Sequence, residues 1–486
     1  MYLLLRILEK LFIIYFIAYM LVDLGLFIYS FIVFRLRKKR SHLSANHEFG
    51  EHKVSILVPA YNEEVSIAHC AEMLLHLDYP NYELIIINDG STDKTMKRLM
   101  DDFDLKEDLL PRQQTLKTSA FKKIYQCQNR DLKVIDKENG GKADSLNAGI
   151  NLASGKYICT IDADSILDNQ ALKYVITPFI EDPATMVTGG QLAAANDVTL
   201  KNNKVISSRM PSNIWVLWQI IEYIKSFLVS RIGLSKINAL MLMSGAFSVY
   251  QKDDMEAIGG FLSPQNEHPY IIATVGQGKH TVCEDMEIVV RLFKYRKDNK
   301  LKARATFLPT PVCWTEVPEN GKSLFKQRAR WHQGLIESLF IHRSMILEPR
   351  YKTAGLLGLP YYFFFEMLAP VIKVIAIIFI IIAVKAGMID LLWISLLLIS
   401  VILLTAIITT SITAVIEYWS NAQSRTNRDA LRYKSFTDWL KLIFAGILGE
   451  FSYTFYKLAA QLKGFFYFFA NKSDWKKFER KGIQKE

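Results

Sequence analysis

The pattern of apolar and polar positions divides the chain into apolar ends and an alternating middle. From about Leu11 to Phe34 the residues are apolar almost without interruption, with only Asp23 breaking the run. A bilayer is crossed by a helix of about 20 residues, so this segment is long enough to span. It ends in RLRKKR, Arg35 to Arg40, whereas a signal peptide has a shorter apolar core and ends at small residues. The basic cluster predicts that this end lies in the cytoplasm and that the N-terminus lies outside. Asp23 reads as a helix-packing or interfacial position within the span.

From about Ser41 to Arg350 the composition is that of a soluble domain. VSILVPA, YELIIIND and KYICTIDADS are short β-rich runs that close on turn-forming or acidic residues. Helix-like segments separate them, which predicts βαβ units and a mostly parallel sheet with flanking helices. The charged stretch from Asp101 to Lys123 reads as a surface insertion. Ile214 to Val229, IWVLWQIIEYIKSFLV, is too polar to span. It reads equally as an amphipathic helix on the membrane face and as a core helix.

Two further spans are expected, at roughly Pro360 to Val384 and Leu391 to Ile416, with Pro360 and Pro370 bending the first. The arginine-containing loop from Ser420 to Lys434 fits a cytoplasmic return. Leu440 to Phe469 is interrupted by Glu450, Lys457 and Lys463, which suits a span followed by an interfacial helix. The tail from Asp474, DWKKFERKG, is basic and favours the cytoplasm, whereas a single span at Leu440 would leave it outside. The resulting division is an N-terminal span (1–40), a cytoplasmic α/β domain (41–350), C-terminal membrane helices (351–470) and a basic tail (471–486).

Composition narrows the functional classes. Half of the 486 residues are hydrophobic while 22% are charged, and the net charge is +11 with a pI near 9.1. Such an excess suits nucleic acid, an anionic membrane surface or an anionic substrate. No zinc-finger spacing, RNA-binding signature or lysine-rich tail accompanies it, so no nucleic acid is expected. The five cysteines (Cys70, Cys127, Cys159, Cys283 and Cys313) are odd in number and contain no CxxC pair, a pattern of reduced thiols.

The candidate chemistry stands at predicted strand ends, where open α/β sheets collect ligands. VPAYNEE places Tyr61, Asn62 and Glu63 after Ala60. NDGSTD places Asp89 before a turn that caps a helix. Asp162 and Asp164, two apart in TIDADS, are spaced to grip a divalent cation that also holds a diphosphate. GGKADSLNAG carries Lys142, TVCEDMEI carries Glu284 and Asp285, and QRARW holds Gln327, Arg328, Arg330 and Trp331. A dull reading of the last motif, basic flanking of a span with an interfacial aromatic, leaves its spacing unexplained.

In this order the motifs resemble the membrane-embedded, processive inverting glycosyltransferases of family 2, the group that includes cellulose, hyaluronan and poly-N-acetylglucosamine synthases. The resemblance runs from about Val54 to Gly334, and QRARW fits the family's Q-[QR]-x-R-W signature of polymer-making members. It implies a GT-A-type fold and a UDP-sugar donor. Asp89, with Ala60, Tyr61 and Glu63, would hold the nucleotide, and Lys142 would face it. Asp162 and Asp164 would carry Mg2+ or Mn2+. Asp285, beside Glu284, would be the general base. Arg328 and Arg330 would offer forked donors to the diphosphate, alongside Gln327, and Trp331 would stack under the acceptor sugar. His332 and Gln333 are lesser candidates for hydrogen bonds to the acceptor.

The implied activity is processive synthesis and export of a β-linked extracellular polysaccharide, with a β-glucan favoured. The alternatives are a poly-N-acetylglucosamine or other hexosamine polymer, transfer of one sugar to a lipid carrier, and an inactive envelope scaffold. The expected partners are the growing polysaccharide, the plasma-membrane bilayer and accessory envelope subunits. Two departures count against a standard bacterial cellulose synthase. There is no room after the last apolar segment for a cyclic-dinucleotide-binding domain, and no FxVTxK motif lies between the late spans.

Overall fold

The computed structural model describes residues 2–36, 49–108, 115–201, 204–423 and 435–472. Arg37 to Arg40, most of the loop from Ser420 to Lys434 and the basic tail from Asp474 lie outside these residues.

The central sheet is built from β1 (Val54–Ala60), β2 (Tyr82–Asp89), β3 (Leu105–Glu107), β4 (Phe121–Cys127), β5 (Leu132–Lys137), β6 (Tyr157–Ile161), β7 (Ser165–Leu167), β8 (Thr185–Ala194), β11 (Phe247–Gln251) and β12 (Arg304–Thr315). β9 (Val198–Lys201) and β10 (Lys204–Ser208) form a separate ribbon. The strand order is β3-β4-β5-β2-β1-β6-β11-β8-β12-β7. β5, β2, β1 and β6 run parallel. Their continuous apolar runs are buried because helices cover the sheet's faces.

The expected mostly parallel sheet is instead mixed. β11 pairs antiparallel with both β6 and β8, while β8 and β12 are parallel. The Asp101 to Lys123 stretch is also more than an insertion. Leu105–Glu107 and Phe121–Cys127 pair antiparallel along the sheet edge, and Leu116 is buried. Charged side chains on an edge strand discourage pairing with another chain, which accounts for their helix-poor, loop-like pattern.

Nine helices carry labels here, in chain order: α1 (Tyr2–Leu36), α2 (Lys142–Leu152), α3 (Ile214–Ile224), α4 (Glu284–Asp298), α5 (Gly321–Ile341), α6 (Ala369–Lys385), α7 (Leu391–Gln423), α8 (Phe436–Phe451) and α9 (Tyr453–Phe469). α2 lies on β1 and β2, with Gly149 allowing close approach to Leu57 and Ile87. α3 continues into a π-helical turn, Lys225–Arg231. It packs on β8 on one side, as the core reading expected, and on α8 on the other.

The membrane pattern is reproduced in part. Among the described residues, only Arg6–Val33 of α1 is by itself long and apolar enough to cross a membrane. Ala354–Met367 and α6 reach that length only as a pair bent by 44°. The bend falls where Pro370 opens α6, as expected of a residue without an N–H. The apolar stretch Leu391–Ile407 of α7 falls short of the length. Leu440 to Phe469 divides at Ser452 into α8 and α9, and α9 docks along α5.

α1 is tied to the π-helical turn. The Ser30 hydroxyl donates to the Val229 carbonyl (2.7 Å), and Lys225 pairs with Asp23 at 2.8 Å. A side chain at Gly233 would collide with Leu26. Asp23 is therefore a packing residue with a named partner.

Candidate active site

The loops after β1 and β2 lock together through Asn62. Its side-chain Oδ1 accepts from the Thr92 N–H (2.8 Å), and its backbone N–H donates to the Ser91 hydroxyl (2.9 Å). Asn62 holds a positive φ of 53°, a conformation that asparagine tolerates better than most residues. Ala60 is buried at the end of β1, and Tyr61 stands half-buried in the turn after it. Glu63 accepts from the Ser66 hydroxyl at 2.7 Å.

Asp89, at the end of β2, is buried and heavily occupied. It accepts from Lys137 (2.7 Å) and from the N–H groups of Gly140 and Gly141 (2.9 Å each). Lys137, fully buried, also pairs with Asp144 at 2.7 Å. Asp89 thus fixes the glycine turn that launches α2. That turn needs Gly141, whose φ is +89°.

α2 opens at Lys142, which reaches across to the other motifs. Its ammonium pairs with Asp162 at 2.8 Å and Glu284 at 3.0 Å, and it donates to the Gly245 carbonyl at 3.2 Å. Burial opposes this charge, yet the two carboxylates hold the lysine pKa above its ordinary value. Asp162 is about a third exposed, whereas Asp164 is buried.

Asp285 lies beside this junction, where the Gly245 N–H donates to its carboxylate at 3.0 Å. Burial, reinforced by the neighbouring Glu284 charge, pushes its pKa up to about 6. Lys142, Arg231 and the Gly245 hydrogen bond pull the other way. A carboxylate so tuned suits general-base work near neutral pH.

Asp162, Asp164, Glu284 and Asp285 offer only hard oxygen donors at this end of the sheet. Among the described residues no cluster of three or more histidine, cysteine or acidic side chains is preassembled around a metal. Such a donor set fits a magnesium-like cation, which takes few protein ligands and completes its shell with phosphate and water.

QRARW lies on α5, which crosses the start of α4. A side chain at Gly334 would overlap Cys283, and the Cys283 thiol lies 3.8 Å from the Trp331 carbonyl. Glycine at this crossing therefore brings the Trp331 backbone against Cys283, the residue that precedes Glu284 and Asp285 at the start of α4. The Trp331 indole is 37% exposed, which leaves it able to cover an apolar sugar face. Arg330 is half-buried and, among the described residues, forms no ion pair.

Arg328 departs from expectation. It is buried, its Nε and Nη2 donate to Glu222 of α3 (3.1 and 2.6 Å), and its Nη1 donates to Gln327 (2.6 Å). Its guanidinium lies 4.2 Å from the centre of the Trp331 ring. With its fork already committed, Arg328 anchors the motif, whereas Arg330 makes no ion pair among the described residues. His332 and Gln333 also face elsewhere. His332 is buried against Phe465 of α9, and burial together with Lys457 pushes its pKa down to about 4. Gln333 donates to Glu337 and to the Lys472 carbonyl.

Sequence reasoning missed Gly245 and Glu222. Gly245 sits where a side chain would meet Lys142, Glu284 and Asp285. Its signal was the Ser-Gly turn between the apolar runs LMLM and FSVY. Glu222 was visible as a lone acid in an apolar helix.

The family model described as "Glycosyltransferase like family 2" matches residues 52–334, more than half of the chain. A poly-β-1,6-N-acetyl-D-glucosamine synthase from Staphylococcus epidermidis is 29% identical over 63% of this chain and 60% of its own length. One of the same description from Staphylococcus aureus is 28% identical over 58% and 54%. The chain thus spans under two thirds of the length of these relatives. A mannosyltransferase from Pyrobaculum calidifontis, solved with GDP-mannose and Mn2+, shares the fold. Its TM-score is 0.50 at 17% identity, over 90% of this chain and 97% of that one. With its motifs gathered at one end of a mixed α/β sheet, the chain belongs to the family 2 glycosyltransferases.

Proposed function

We propose that the protein is a membrane-bound, processive, inverting glycosyltransferase that extends a β-linked polysaccharide from a UDP-sugar. The supporting observation is the meeting of three motifs at Lys142, which contacts Asp162 at 2.8 Å and Glu284 at 3.0 Å next to the base candidate Asp285. The named relatives shift the preferred product from a glucan to a β-1,6-linked N-acetylglucosamine polymer.

In the reaction, Asp285 takes the proton from the acceptor hydroxyl, whose oxygen attacks the donor's anomeric carbon from the face opposite UDP. The bond to the diphosphate breaks with inversion, and negative charge builds on the leaving oxygen. Lys142 and Arg330 would offset that charge, Lys142 by exchanging its contacts with Asp162 and Glu284 for the diphosphate. Asp162 and Asp164 would hold a divalent cation, which when bound neutralises the diphosphate. Ala60, Tyr61, Glu63 and the Asp89-held turn line the nucleotide side, and Trp331 supports the terminal acceptor sugar. Transfer takes place on the cytoplasmic side, α1 anchors the domain, and the bent and short apolar helices that follow complete a multi-pass export path.

The test is to supply membrane vesicles with each UDP-sugar separately, with magnesium or manganese. A polymer made only from UDP-N-acetylglucosamine and cleaved by a β-1,6-specific hexosaminidase is the expected result. A lipid-extractable product bearing one sugar would overturn the processive reading.

A further inference from the structure

We infer that Glu222 is a positioning residue for the acceptor platform, acting through Arg328 on Trp331 and locked in place by α9. The inference rests on the acceptor role of Trp331 proposed above. The observation behind it is a junction of three helices in which Arg328 and Tyr453 are buried and Glu222 is partly buried. The Glu222 carboxylate of α3 accepts from Arg328 of α5 (2.6 Å) and pairs with Lys457 of α9 (2.7 Å). It also accepts from the Tyr453 hydroxyl of α9 (2.7 Å). Burial alone would raise the Glu222 pKa, but Arg328 and Lys457 hold it well below the usual carboxylate range.

The geometry gives this junction a consequence beyond stability. A guanidinium is planar, and stacking on an aromatic face fixes its orientation together with that of the ring. The Arg328 plane has one edge fixed by Glu222 and lies 4.2 Å from the Trp331 ring centre. The indole therefore inherits its angle from Glu222. Aromatic packing holds the junction rigid from behind, with Tyr453 stacked on Trp218 at 5.4 Å and Tyr456 against Trp215 at 4.9 Å. Both Tyr453 and Lys457 lie beyond residue 334, where the family match ends. The acceptor site of this chain accordingly includes support from a helix outside its recognised catalytic segment.

The test compares Glu222→Gln, Trp331→Ala and the double variant in membrane vesicles with UDP-N-acetylglucosamine and a chito-oligosaccharide primer. Removing one charged partner of the Arg328 pair should raise the KM for primer about tenfold and shorten the polymer, leaving the donor KM within about twofold. In the Trp331→Ala background the Glu222→Gln change should have no further effect on polymer length, because the relay ends at the indole. Should Glu222→Gln fail to accumulate, Tyr453→Phe removes the hydroxyl while keeping the ring stack and should shorten the polymer in the same direction. Additive effects in the double variant, or equal changes in donor and primer KM, would overturn the relay. If Trp331→Ala itself leaves polymer length unchanged, the acceptor reading fails, a result distinct from a relay that fails while Trp331 matters.

Discussion

Asp285 and the two arginines of QRARW are residues whose environments set different expectations for the same kind of substitution. Burial and the neighbouring Glu284 charge push the Asp285 pKa up from its ordinary value to about 6. The proposed base would work only when ionised, so kcat/KM should fall as pH drops through about 6. The linkage runs in the opposite sense. Between about pH 4 and 6 the folded state binds more protons than the unfolded one, so stability declines as pH rises across that window. Asp285→Asn should therefore abolish polymer synthesis, by at least about a hundredfold, while raising the Tm of the detergent-purified protein at pH 7.5. An active variant would remove Asp285 as base, and an inactive one with a lowered Tm would contradict the burial argument. The arginines divide in a similar way. Arg330 makes no ion pair among the described residues, so Arg330→Ala should lower kcat about a hundredfold with little change in Tm. Arg328 is buried on Glu222, and Arg328→Ala removes one of that carboxylate's two cationic partners, leaving Lys457 and the Tyr453 hydroxyl. Losing the charge-assisted hydrogen bonds costs about 2 kcal/mol, seen as a lowered Tm in thermal unfolding.

At the level of elements, close helix crossings join what the sequence separates. α9 meets α5 at Gly464, where an added methyl would lie 2.6 Å from the Ala329 carbonyl and 2.9 Å from the His332 Cβ. Neither neighbour is the end of a flexible chain, so Gly464→Ala should lift α9 from α5. Limited trypsinolysis checks this: cleavage at Lys457 or Lys463 should appear in the variant under conditions that leave the parent intact. The crossing also shows what was legible in the sequence. β1, β2 and β6 were readable because strands buried on both faces must be continuously apolar, and each ends on the residues that serve the site. The antiparallel insertion of β11 between β6 and β8 leaves no comparable mark, since FSVYQ looks the same in either direction. Arg328 was assigned to the diphosphate because the motif displays its charge. Its partner Glu222 lies 106 residues earlier, and nothing local to QRARW announces it. α9 read as membrane or interface from its interrupted hydropathy, while its polar interruption Lys457 is the group that reaches Glu222.

For the whole molecule, the α/β domain must be held to the long apolar helix α1, and the contact between α1 and the π-helical turn provides this. Lys225 and Asp23 pair at 2.8 Å, next to the Ser30 to Val229 hydrogen bond and the Leu26 to Gly233 approach. An exposed pair of this kind contributes under about 1 kcal/mol in water. On the proposed reading of α1 as a span the balance differs, because either charge left alone would have no water to replace its partner. The pair should therefore matter through the cost of breaking it rather than through its net gain. Asp23→Lys places two cations together and should sharply reduce the yield of monodisperse protein in detergent. Adding Lys225→Asp restores an opposite-charge pair with its direction reversed, and it should recover both yield and polymer synthesis. Recovery of yield without synthesis would mean that the direction of the pair matters to the transfer site, through the helix that leads from Lys225 back to Glu222. Failure of the swap to recover either quantity would show that α1 is held by its apolar contacts alone, leaving Asp23 without the anchoring role its geometry gives it.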